Sequence, residues 1–528
     1  MVKYENKKTK SNNKLFAVIG IMMILACFLL AGCGKNDSGA DTVSDNRAKP
    51  EFSEYSELNG KRVSMLTGAP LEGLVRDKVQ DVGEFSYFNN NPDMTLALKS
   101  GKTDAIVSNN AVAALIESRN PELITFPKDL RSGFFGFAFA KGDPEREKWQ
   151  KARESIPEET KQEIWKKWTG ADDSVKTIPA QDWPGQNGKV QAALCDTLEP
   201  LSYMGDNGQV VGFDVEMLLL LAKELDVHIE FTGMEFSAVL SSVQAGKALI
   251  GAGSIIVTDE RKQAVDFVEY YPTAFVLVVR AAQTDAAAGG GFLASVSESF
   301  EKTFIREDRW KLFFEGIGTT ILITVLSIIF GTILGFLVFM LCRRGNPAAN
   351  AVTRFGVWLV QGMPVVVLLM ILYYIIFGQV VISGTIVSIV GFTLIFGTSV
   401  LNMLKAGVGA VDNGQTEAAY SLGYTDRQAF YRIVLPQTLP HFMPAYKSGI
   451  TALIKATAVV GYVAVQDLTK MGDIIRSRTY DAFFPLIAVA VIYFVLAGIL
   501  TFIVNKIELR IDPRHRSSKD ILKEVTSK

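Results

Sequence analysis

The sequence predicts two parts of different class: an α/β domain outside the cytoplasmic membrane, followed by an all-α membrane domain with five spans. Three observations lead to this prediction. Charged side chains fill residues 36–187, apolar runs long enough to cross a bilayer lie within residues 316–502, and an apolar signal-like segment precedes both. In the polar part, short apolar runs of β type alternate with helical patterns, as they do in α/β domains.

The composition excludes several classes of protein. The 54 basic and 55 acidic side chains nearly cancel, which argues against a nucleic-acid-binding protein. The histidines, His228, His441 and His515, are far apart in sequence, and Cys195 is the only one of the four cysteines in the polar part. We therefore expect no metal site, no cofactor, no disulfide framework and no enzymatic activity based on Cys or His.

The first 33 residues are predicted to be an export signal. Four lysines between positions 7 and 14 precede an apolar stretch, residues 15–30, that is short for a membrane span. The stretch leads into Ala31, Gly32 and Cys33. This ending resembles the lipobox of bacterial lipoproteins, which implies cleavage before Cys33 and lipidation of that residue. An uncleaved signal anchor is the alternative, and both place the next domain outside the cytoplasmic membrane.

The membrane part, residues 315–507, is predicted to cross the bilayer five times. Its apolar runs are residues 317–341, 357–377, 382–404, 448–465 and 485–504. With the polar domain outside, the first, third and fifth runs end in the cytoplasm, beside Arg343, Lys405 and Lys506. The outer segments, residues 378–381 and 466–484, are poorer in net positive charge, as the positive-inside rule predicts. Residues 508–528 are then a cytoplasmic tail.

Two segments connect the polar part to the first span. Residues 281–295, which contain three consecutive glycines, are predicted to be a linker. Residues 296–314 interleave Phe300, Phe304 and Trp310 with charged side chains. This pattern suits an amphipathic helix at the membrane interface. A helix packed on the soluble domain is the alternative.

A sequence motif lies between the third and fourth predicted spans. It has the spacing E-A-A-x3-G-x9-I-x-L-P, from Glu417 to Pro436. This spacing resembles the cytoplasmic EAA loop of ABC importer permeases, and its flanks are similar to the branch that transports polar amino acids. The resemblance implies a type I ABC permease domain. The residues that it assigns to coupling with an ATPase are Glu417, Ala418, Ala419, Gly423, Ile433, Leu435 and Pro436.

The residue types of this loop suit that role. Gly423 can adopt the left-handed conformation that ends a first short helix, and Pro436 is expected to end a second. The chain has no complete phosphate-binding loop, because Leu96 replaces the glycine required before Gly101-Lys102-Thr103. ATP hydrolysis is therefore expected in a separate ATPase subunit. Two copies of this chain, or this chain and a related permease, are expected to pair around the translocation path.

Two blocks of the polar part resemble periplasmic solute-binding proteins of the family-3 type, in reversed order. Residues 188–280, which contain Gly212-Phe213-Asp214 and Thr258–Arg261, are similar to the first lobe of that family. Residues 58–170, which contain Thr67-Gly68, are similar to the second lobe and the C-terminal helix. The resemblance implies a type II, two-lobed, circularly permuted periplasmic-binding-protein-like domain.

The predicted boundaries follow from this order. The solute-binding domain covers residues 58–280, with a joint at 171–187 and a preceding linker at 34–57. We expect the new chain ends to cut one of the two connections between the lobes. Two truncated tandem domains are the alternative, although the blocks complement each other instead of repeating.

The resemblance also implies a ligand site in the cleft between the lobes. Arg261 is expected to bind a carboxylate of the solute with two hydrogen bonds, in a geometry that lysine cannot match. An exposed role for Arg261 and a core role for Phe236 are the alternatives. The ligand-binding residues that the resemblance assigns are Arg261, Ser254, Thr258, Phe236, Thr67, Gly68, Asn109 and Glu199.

Several family partners of the solute are replaced in this sequence. Asn109 and Cys195 stand where the family has aspartates, Ile256 where it has a hydroxyl side chain, and Leu198 where it has an aromatic ring. A buried ammonium needs an anion. Glu199 or Asp196 could supply one by a shifted geometry.

Together these features predict the receptor–permease subunit of an ABC importer for a polar amino acid or a related small solute. Its expected partners are the membrane, the solute, an ATPase subunit and a second permease, without nucleic acid. The alternative is a solute-gated membrane sensor, or a transporter subunit whose degenerate receptor does not bind amino acids.

Overall fold

The structure is a computed structural model that describes residues 49–511, except 70, 171, 206–207, 283–298, 344, 379, 381 and 482. The predicted signal with Cys33, most of the two linkers and most of the cytoplasmic tail lie outside the described residues.

Residues 49–282 form an α/β domain with a main sheet of nine strands and a small sheet of three. The strands in chain order are β1 Arg62–Leu66, β2 Glu84–Phe88, β3 Ala105–Asn109, β4 Leu123–Thr125, β5 Arg131–Ala140, β6 Lys189–Cys195, β7 Thr197–Leu198, β8 Ser202–Met204, β9 Val210–Val211, β10 His228–Met234, β11 Ile250–Ala252 and β12 Val265–Arg280. The main sheet has the order β10-β6-β11-β5-β12-β3-β1-β2, and β4 pairs with β12.

Helices cover the inner strands of this sheet, which are nearly continuously apolar, and β3 is buried along its whole length. The helices are α1 Glu72–Arg76, α2 Asn91–Lys99, α3 Asn110–Arg119, α4 Glu145–Ser155, α5 Glu158–Thr169, α6 Phe213–Glu224, α7 Phe236–Gln244 and α8 Asp259–Ala264.

The long strands β5 and β12 pair antiparallel and connect the two lobes of the domain. The pairing runs from Val265 opposite Ala140 to Phe275 opposite Arg131, with an irregularity between Glu269 and Tyr271. We define lobe 1 as residues 136–269, and lobe 2 as residues 49–135 and 270–282. In lobe 2, β12 continues beside β3 and β4.

The chain enters and leaves the domain at one place in lobe 2. The amide of Ala282 donates to the carbonyl of Lys49 at 2.7 Å, and the amide of Glu51 donates to the carbonyl of Arg280 at 2.8 Å. Both connections between the lobes are therefore continuous, and the expectation that one of them is cut is wrong. Residues 49–57, expected to be linker, belong to the folded domain.

The described part of the joint, residues 172–187, also packs against the domain. The indole of Trp183 donates to the carbonyl of Val227 at 2.7 Å, and the amide of Ile229 donates to the side chain of Gln181 at 2.7 Å. These bonds lie along β10, the edge strand of lobe 1, and cover part of that edge.

The second half of the chain is helical. Its helices are α9 Trp310–Arg343, α10 Pro347–Gly362, α11 Val365–Met370, α12 Gly384–Gly409, α13 Asn413–Ser421, α14 Asp426–Ala429, α15 Leu435–Ala456, α16 Leu468–Thr479 and α17 Phe483–Ile511. Helices α9, α12 and α17 are each long and apolar enough to cross a membrane. Two bent pairs of helices, with bends of 111° and 58°, would bring the number of spans to five.

Small residues let the membrane helices approach closely. A Cβ atom added to Gly335 of α9 would lie 2.6 Å from the carbonyl oxygen of Gly397 and 2.8 Å from the Cβ of Val400, both on α12. Close backbone contact of this kind is how helices associate in lipid, where apolar burial from water does not drive them together.

The predicted amphipathic helix over residues 296–314 is not continuous. Its described part forms a π-helical turn at Glu301–Ile305 and a 3-10 turn at Arg306–Asp308, and the long helix α9 begins at Trp310. Asp308 has a φ of 53°, which is incompatible with a continuing right-handed helix. Phe304 packs against Phe313 at 5.1 Å between ring centroids, so this segment lies on the membrane helices.

Candidate functional site

The cleft between the lobes is closed around a small cavity of about 40 Å³. Lobe 2 contributes Asn109 to its lining, and lobe 1 contributes Phe236, Ser254 and Arg261. The remaining lining is apolar except for two polar uncharged side chains of lobe 2. Arg261 is thus the one charged residue among the described residues that line the cavity.

The guanidinium of Arg261 is fixed at the cavity by hydrogen bonds to carbonyl oxygens. It donates to Ile256 at 2.9 Å and, across the cleft, to Gly68 at 3.0 Å. Its Nε–H has no hydrogen-bond partner within the described residues, and the ring of Phe236 lies 5.7 Å away. Burial lowers the pKa of Arg261 to about 10, so it remains a cation at neutral pH. A buried cation without a carboxylate partner is chemically suited to an anionic ligand.

A second contact across the cleft joins Asn109 and Ser254. The Asn109 amide nitrogen donates to the Ser254 hydroxyl at 3.0 Å, while its amide oxygen accepts from the backbone of Val112 and caps α3. The residue that replaces the family aspartate therefore connects the two lobes directly in this closed arrangement.

Asp214, which was not predicted from the sequence, holds the backbone of the Ser254 segment in place. Its carboxylate accepts from the backbone of Ser254 at 2.7 Å, from the backbone of Gly253 at 3.2 Å and from the hydroxyl of Tyr270 at 2.5 Å. Burial raises the pKa of Asp214 to about 6. The sequence signal for Asp214 is the Gly212-Phe213-Asp214 segment, by which this lobe resembles the family.

The other predicted ligand residues lie at the edge of this arrangement. Thr258 caps α8 by accepting from the backbone of Arg261 at 3.3 Å. Gly68 contributes its carbonyl oxygen, whereas the backbone amide of Thr67 donates to Phe88.

The two carboxylates that could have received an ammonium bind cations of the protein instead. Glu199 forms a bidentate pair with Arg119 of lobe 2, at 2.6 and 2.9 Å. Asp196 lies 2.9 Å from the ammonium of Lys470, a residue of the membrane half. The structure thus brings Arg261, Ser254, Phe236, Gly68 and Asn109 together, with Glu199 engaged elsewhere.

Lys470 belongs to a contact surface between the solute-binding domain and α16. Its side chain is 3% exposed and also lies 3.1 Å from the carboxylate of Glu235. At the other end of α16, Arg476 forms an ion pair with Asp93 of lobe 2. These pairs could not be predicted from the sequence, because their members are more than 200 residues apart in the chain and no local pattern connects them.

Further contacts use the same face of the membrane half. Lys247 of lobe 1 donates to the carbonyl of Val380 at 2.7 Å, and Arg119 donates to the carbonyl of Arg478 at 3.0 Å while lying 5.0 Å from the ring of Tyr480. The solute-binding domain thus contacts both segments of the membrane half that the sequence predicts to lie outside the membrane.

The predicted coupling loop forms two short helices. Asp412 caps α13, which ends before Gly423, and Gly423 has the left-handed φ of 81° that the sequence predicts. The expectation that Pro436 ends the second helix is wrong. A π-helical turn, Phe430–Val434, continues directly into α15, and Pro436 lies in the first turn of that helix, where the missing amide proton costs little.

The tip of this loop exposes apolar side chains. Leu422 is 78% exposed, Tyr420 and Tyr431 are each 47% exposed, and Glu417 is exposed beside them. The loop is fixed to the end of α9 by Arg343, which pairs with Asp426 at 2.6 Å. The other predicted coupling residues are partly covered (Ile433 and Leu435), buried (Ala419) or exposed (Ala418 and Pro436). An apolar tip on a fixed loop is typical of a protein-binding surface.

Known proteins resemble both halves of the chain. The sequence model of the bacterial extracellular solute-binding proteins, family 3, matches residues 190–458, just over half of the chain. The putative glutamine transport system permease protein of Rickettsia conorii is 31% identical over 205 residues, which are 38% of this chain and 93% of that protein.

One further relative and one solved structure are also similar to this chain. The arginine transport system permease protein of Bacillus subtilis is 32% identical over 203 residues, which are 37% of this chain and 91% of that protein. A solved crystal structure of an amino acid ABC transporter with histidines is 27% identical, covers 42% of this chain and 99% of its own, and has a TM-score of 0.37.

The predicted receptor–permease fusion is thereby confirmed, in a membrane protein with an extracytoplasmic binding domain. The chain belongs to the bacterial extracellular solute-binding proteins of family 3, and it joins that receptor in one polypeptide to a permease of the amino-acid ABC importer family.

Proposed function

We propose that this chain captures a polar amino acid or a related small solute outside the cell and moves it across the cytoplasmic membrane, driven by a separate ATPase subunit. The observation that carries the proposal is the buried guanidinium of Arg261, which lines a closed cavity between two lobes that rest on the permease half. Such a cation can hold a carboxylate of the solute with two parallel hydrogen bonds.

The cavity favours solutes in which the carboxylate dominates recognition. Among the described residues that line it, the polar groups besides Arg261 are uncharged, and Asp196 and Glu199 are paired with Lys470 and Arg119. An ammonium group would therefore be held by oxygen atoms such as those of Asn109 and Ser254 instead of by a carboxylate. In the closed state the cavity is too small for an amino acid, so the lobes must open for the solute to enter.

The receptor is proposed to be a circularly permuted domain. The match to the solute-binding family begins at residue 190, after the block that resembles the second lobe. The paired ends of the domain at Lys49 and Ala282 also support a rearrangement that kept both connections between the lobes. In the proposed topology, the permease crosses the membrane five times, the C-terminus is cytoplasmic, and Cys33 carries a lipid.

The coupling loop is proposed to bind the ATPase. Its apolar tip around Leu422 and its rigid attachment through Arg343 and Asp426 support this assignment. The contact surface for the receptor would then lie outside the membrane, and the coupling loop would lie on its cytoplasmic side. The same helices would connect the receptor contact to the binding of the ATPase. Two such chains, or one chain and a related permease, would complete the translocation path.

The proposal is tested by ligand screening and transport with the full chain in lipid nanodiscs and proteoliposomes. We expect one class among amino acids, their amides and small carboxylates to raise the melting temperature, since a ligand at 100 times its Kd adds about 2.7 kcal/mol. Arg261→Ala should abolish this response and ATP-driven uptake of the same solute. A well-folded chain whose melting temperature is raised by no compound of the panel would contradict the assignment of the solute class.

A further inference from the structure

Helix α16 of the permease half contacts both lobes of the receptor. Near its N-terminus, the Lys470 ammonium lies 2.9 Å from Asp196 and 3.1 Å from Glu235, both in lobe 1. Lys470 and Asp196 are 3% and 0% exposed, so water does not screen their interaction.

The other end of the same helix binds lobe 2. Arg476, which is 7% exposed at its side chain, forms an ion pair with Asp93 of lobe 2 and is also held by Asp473 at 2.7 Å. Just beyond the helix, the ring of Tyr480 lies 5.0 Å from the guanidinium of Arg119, a further residue of lobe 2. One rigid helix therefore connects the lobes through two separate ion pairs.

The path of the chain makes this connection mechanically relevant. Both ends of the receptor domain leave from lobe 2, at Lys49 and Ala282, whereas lobe 1 is attached to lobe 2 through β5 and β12. When the lobes move apart by bending of these strands, α16 cannot follow both of them. Opening must then break the contacts of either Lys470 or Arg476.

We propose that α16 holds the two lobes closed, by binding lobe 1 through Lys470 and lobe 2 through Arg476, and so couples receptor opening to the permease. The inference rests on the proposed function only in treating the two lobes as a receptor that opens. Removing one member of a buried ion pair leaves the other charge without compensation, which is strongly unfavourable. The contact of Lys470 should therefore contribute more to closure than that of Arg476, whose partner Asp93 is 33% exposed.

A disulfide across the cleft measures closure without knowledge of the solute. A Cβ atom on Gly68 of lobe 2 would lie 3.2 Å from the Cβ of Ser237 of lobe 1. This separation is somewhat shorter than the roughly 3.5–4.5 Å found in disulfides, so closed lobes need to separate only slightly for the bond to form. We would introduce Gly68→Cys and Ser237→Cys into the full chain in nanodiscs and follow disulfide formation under mild oxidation by mass spectrometry. Any strain caused by the new cysteines is the same in every comparison.

We expect Lys470→Met to slow disulfide formation at least about tenfold, as expected for the loss of a buried charge pair. The matched control is Lys189→Met, which removes a lysine of lobe 1 whose pair with Glu230 is exposed. This control should leave the rate unchanged. Asp93→Asn, at the other end of α16, should slow the reaction in the same direction but less.

Unchanged rates in both Lys470→Met and Asp93→Asn would overturn the inference. If Lys470→Met does not fold, the milder Asp93→Asn decides alone, because it changes a partly exposed residue. Solute uptake by the chain with its ATPase is measured separately. If the solute is taken up but the rates of disulfide formation are unchanged, only the role of α16 is contradicted. If these rates are slowed but the solute is not taken up, only the importer function is contradicted.

Discussion

The guanidinium of Arg261, in lobe 1, donates a 3.0 Å hydrogen bond to the carbonyl oxygen of Gly68, in lobe 2. The residue expected to bind the solute thus also connects the lobes directly. A solute carboxylate that enters the cleft meets a side chain whose position already depends on closure. Under the proposed function, recognition of the solute and closure of the lobes would therefore be coupled at this residue.

Arg261→Lys should separate the charge of this residue from its geometry. Lysine keeps the positive charge, but its single ammonium nitrogen cannot reproduce the planar fork that donates to Ile256 and Gly68 and still offers two parallel hydrogen bonds to a carboxylate. We expect solute affinity to fall by roughly tenfold to a hundredfold, since hydrogen bonds to charged groups contribute about 1.5–3 kcal/mol. Isothermal titration of the solute identified by screening measures the change. Equal affinity in both proteins would show that the charge alone suffices.

Asp214 should make receptor stability depend on pH. Its pKa in the folded protein is about 6, above the ordinary value of 3.8, because the carboxyl group is buried. The folded state then binds this proton more tightly than the unfolded state. The resulting stabilisation is fully present below about pH 4 and is lost as the pH rises through 6.

The test of this prediction is Asp214→Asn in the receptor fragment of residues 49–282, which contains both lobes and both connecting strands. The amide can accept from the backbone of Ser254 and donate to a rotated Tyr270 hydroxyl, so the fold should be retained. We expect the variant to gain stability relative to the native fragment between pH 4 and 7, by roughly 1.4 kcal/mol for each pKa unit of difference. Urea unfolding across this range measures it, and parallel pH profiles would contradict it.

Tyr270→Phe provides an internal check on the assignment to Asp214. The tyrosine hydroxyl donates to the Asp214 carboxylate and so opposes the effect of burial on its pKa. Without this donor, the pKa of Asp214 should rise further, and the pH range in which stability is lost should move upward.

The sequence predicted those features that local patterns or motifs determine. Long apolar runs marked the membrane helices, and Gly423 was correctly predicted to be left-handed because its place in the motif requires a turn. The role of Pro436 was wrong because proline is compatible both with the end of one helix and with the first turn of the next. Only the tertiary path, in which α15 continues from the preceding turn, decides between these possibilities.

Features that depend on distant pairs could not be predicted. Lys470 and Asp196 each look like ordinary surface charges in the sequence, and only the fold places them 2.9 Å apart in a buried contact. Similarly, the sequence allows Glu199 to bind an ammonium group, whereas in the structure Glu199 is paired with Arg119. Whether both connections between the lobes are continuous also depends on where β12 ends. The boundaries of the two segments that resemble the family do not determine this position.

Gly233→Ala should disturb the contact between receptor and permease. A Cβ atom on Gly233 would clash with a carboxylate oxygen of Asp196 and lie 2.8 Å from its Cγ, so the carboxylate that pairs with Lys470 would have to move. We expect a loss of about 1–3 kcal/mol, as found for overpacked interiors. The thermal stability of the full chain measures this loss.

Gly73→Ala is the matched control for that substitution. Gly73 lies in α1, and an added Cβ would meet nothing within 4 Å. Alanine should be neutral there or stabilise the helix by up to about 1 kcal/mol. If both substitutions had the same effect, the proximity of Gly233 to Asp196 would not explain the result.

Gly423→Ala should weaken coupling through the backbone alone. An added Cβ would meet nothing within 4 Å, but the φ of 81° is unfavourable for alanine, at a cost of about 1–2 kcal/mol. The two short helices of the loop should then change their relative orientation and present Leu422 differently to the ATPase. We expect reduced ATP-driven uptake with unchanged solute binding. Gly409→Ala, near the end of helix α12 and equally open, should leave uptake unchanged, so an equal loss in both variants would show that the effect does not arise from the left-handed turn.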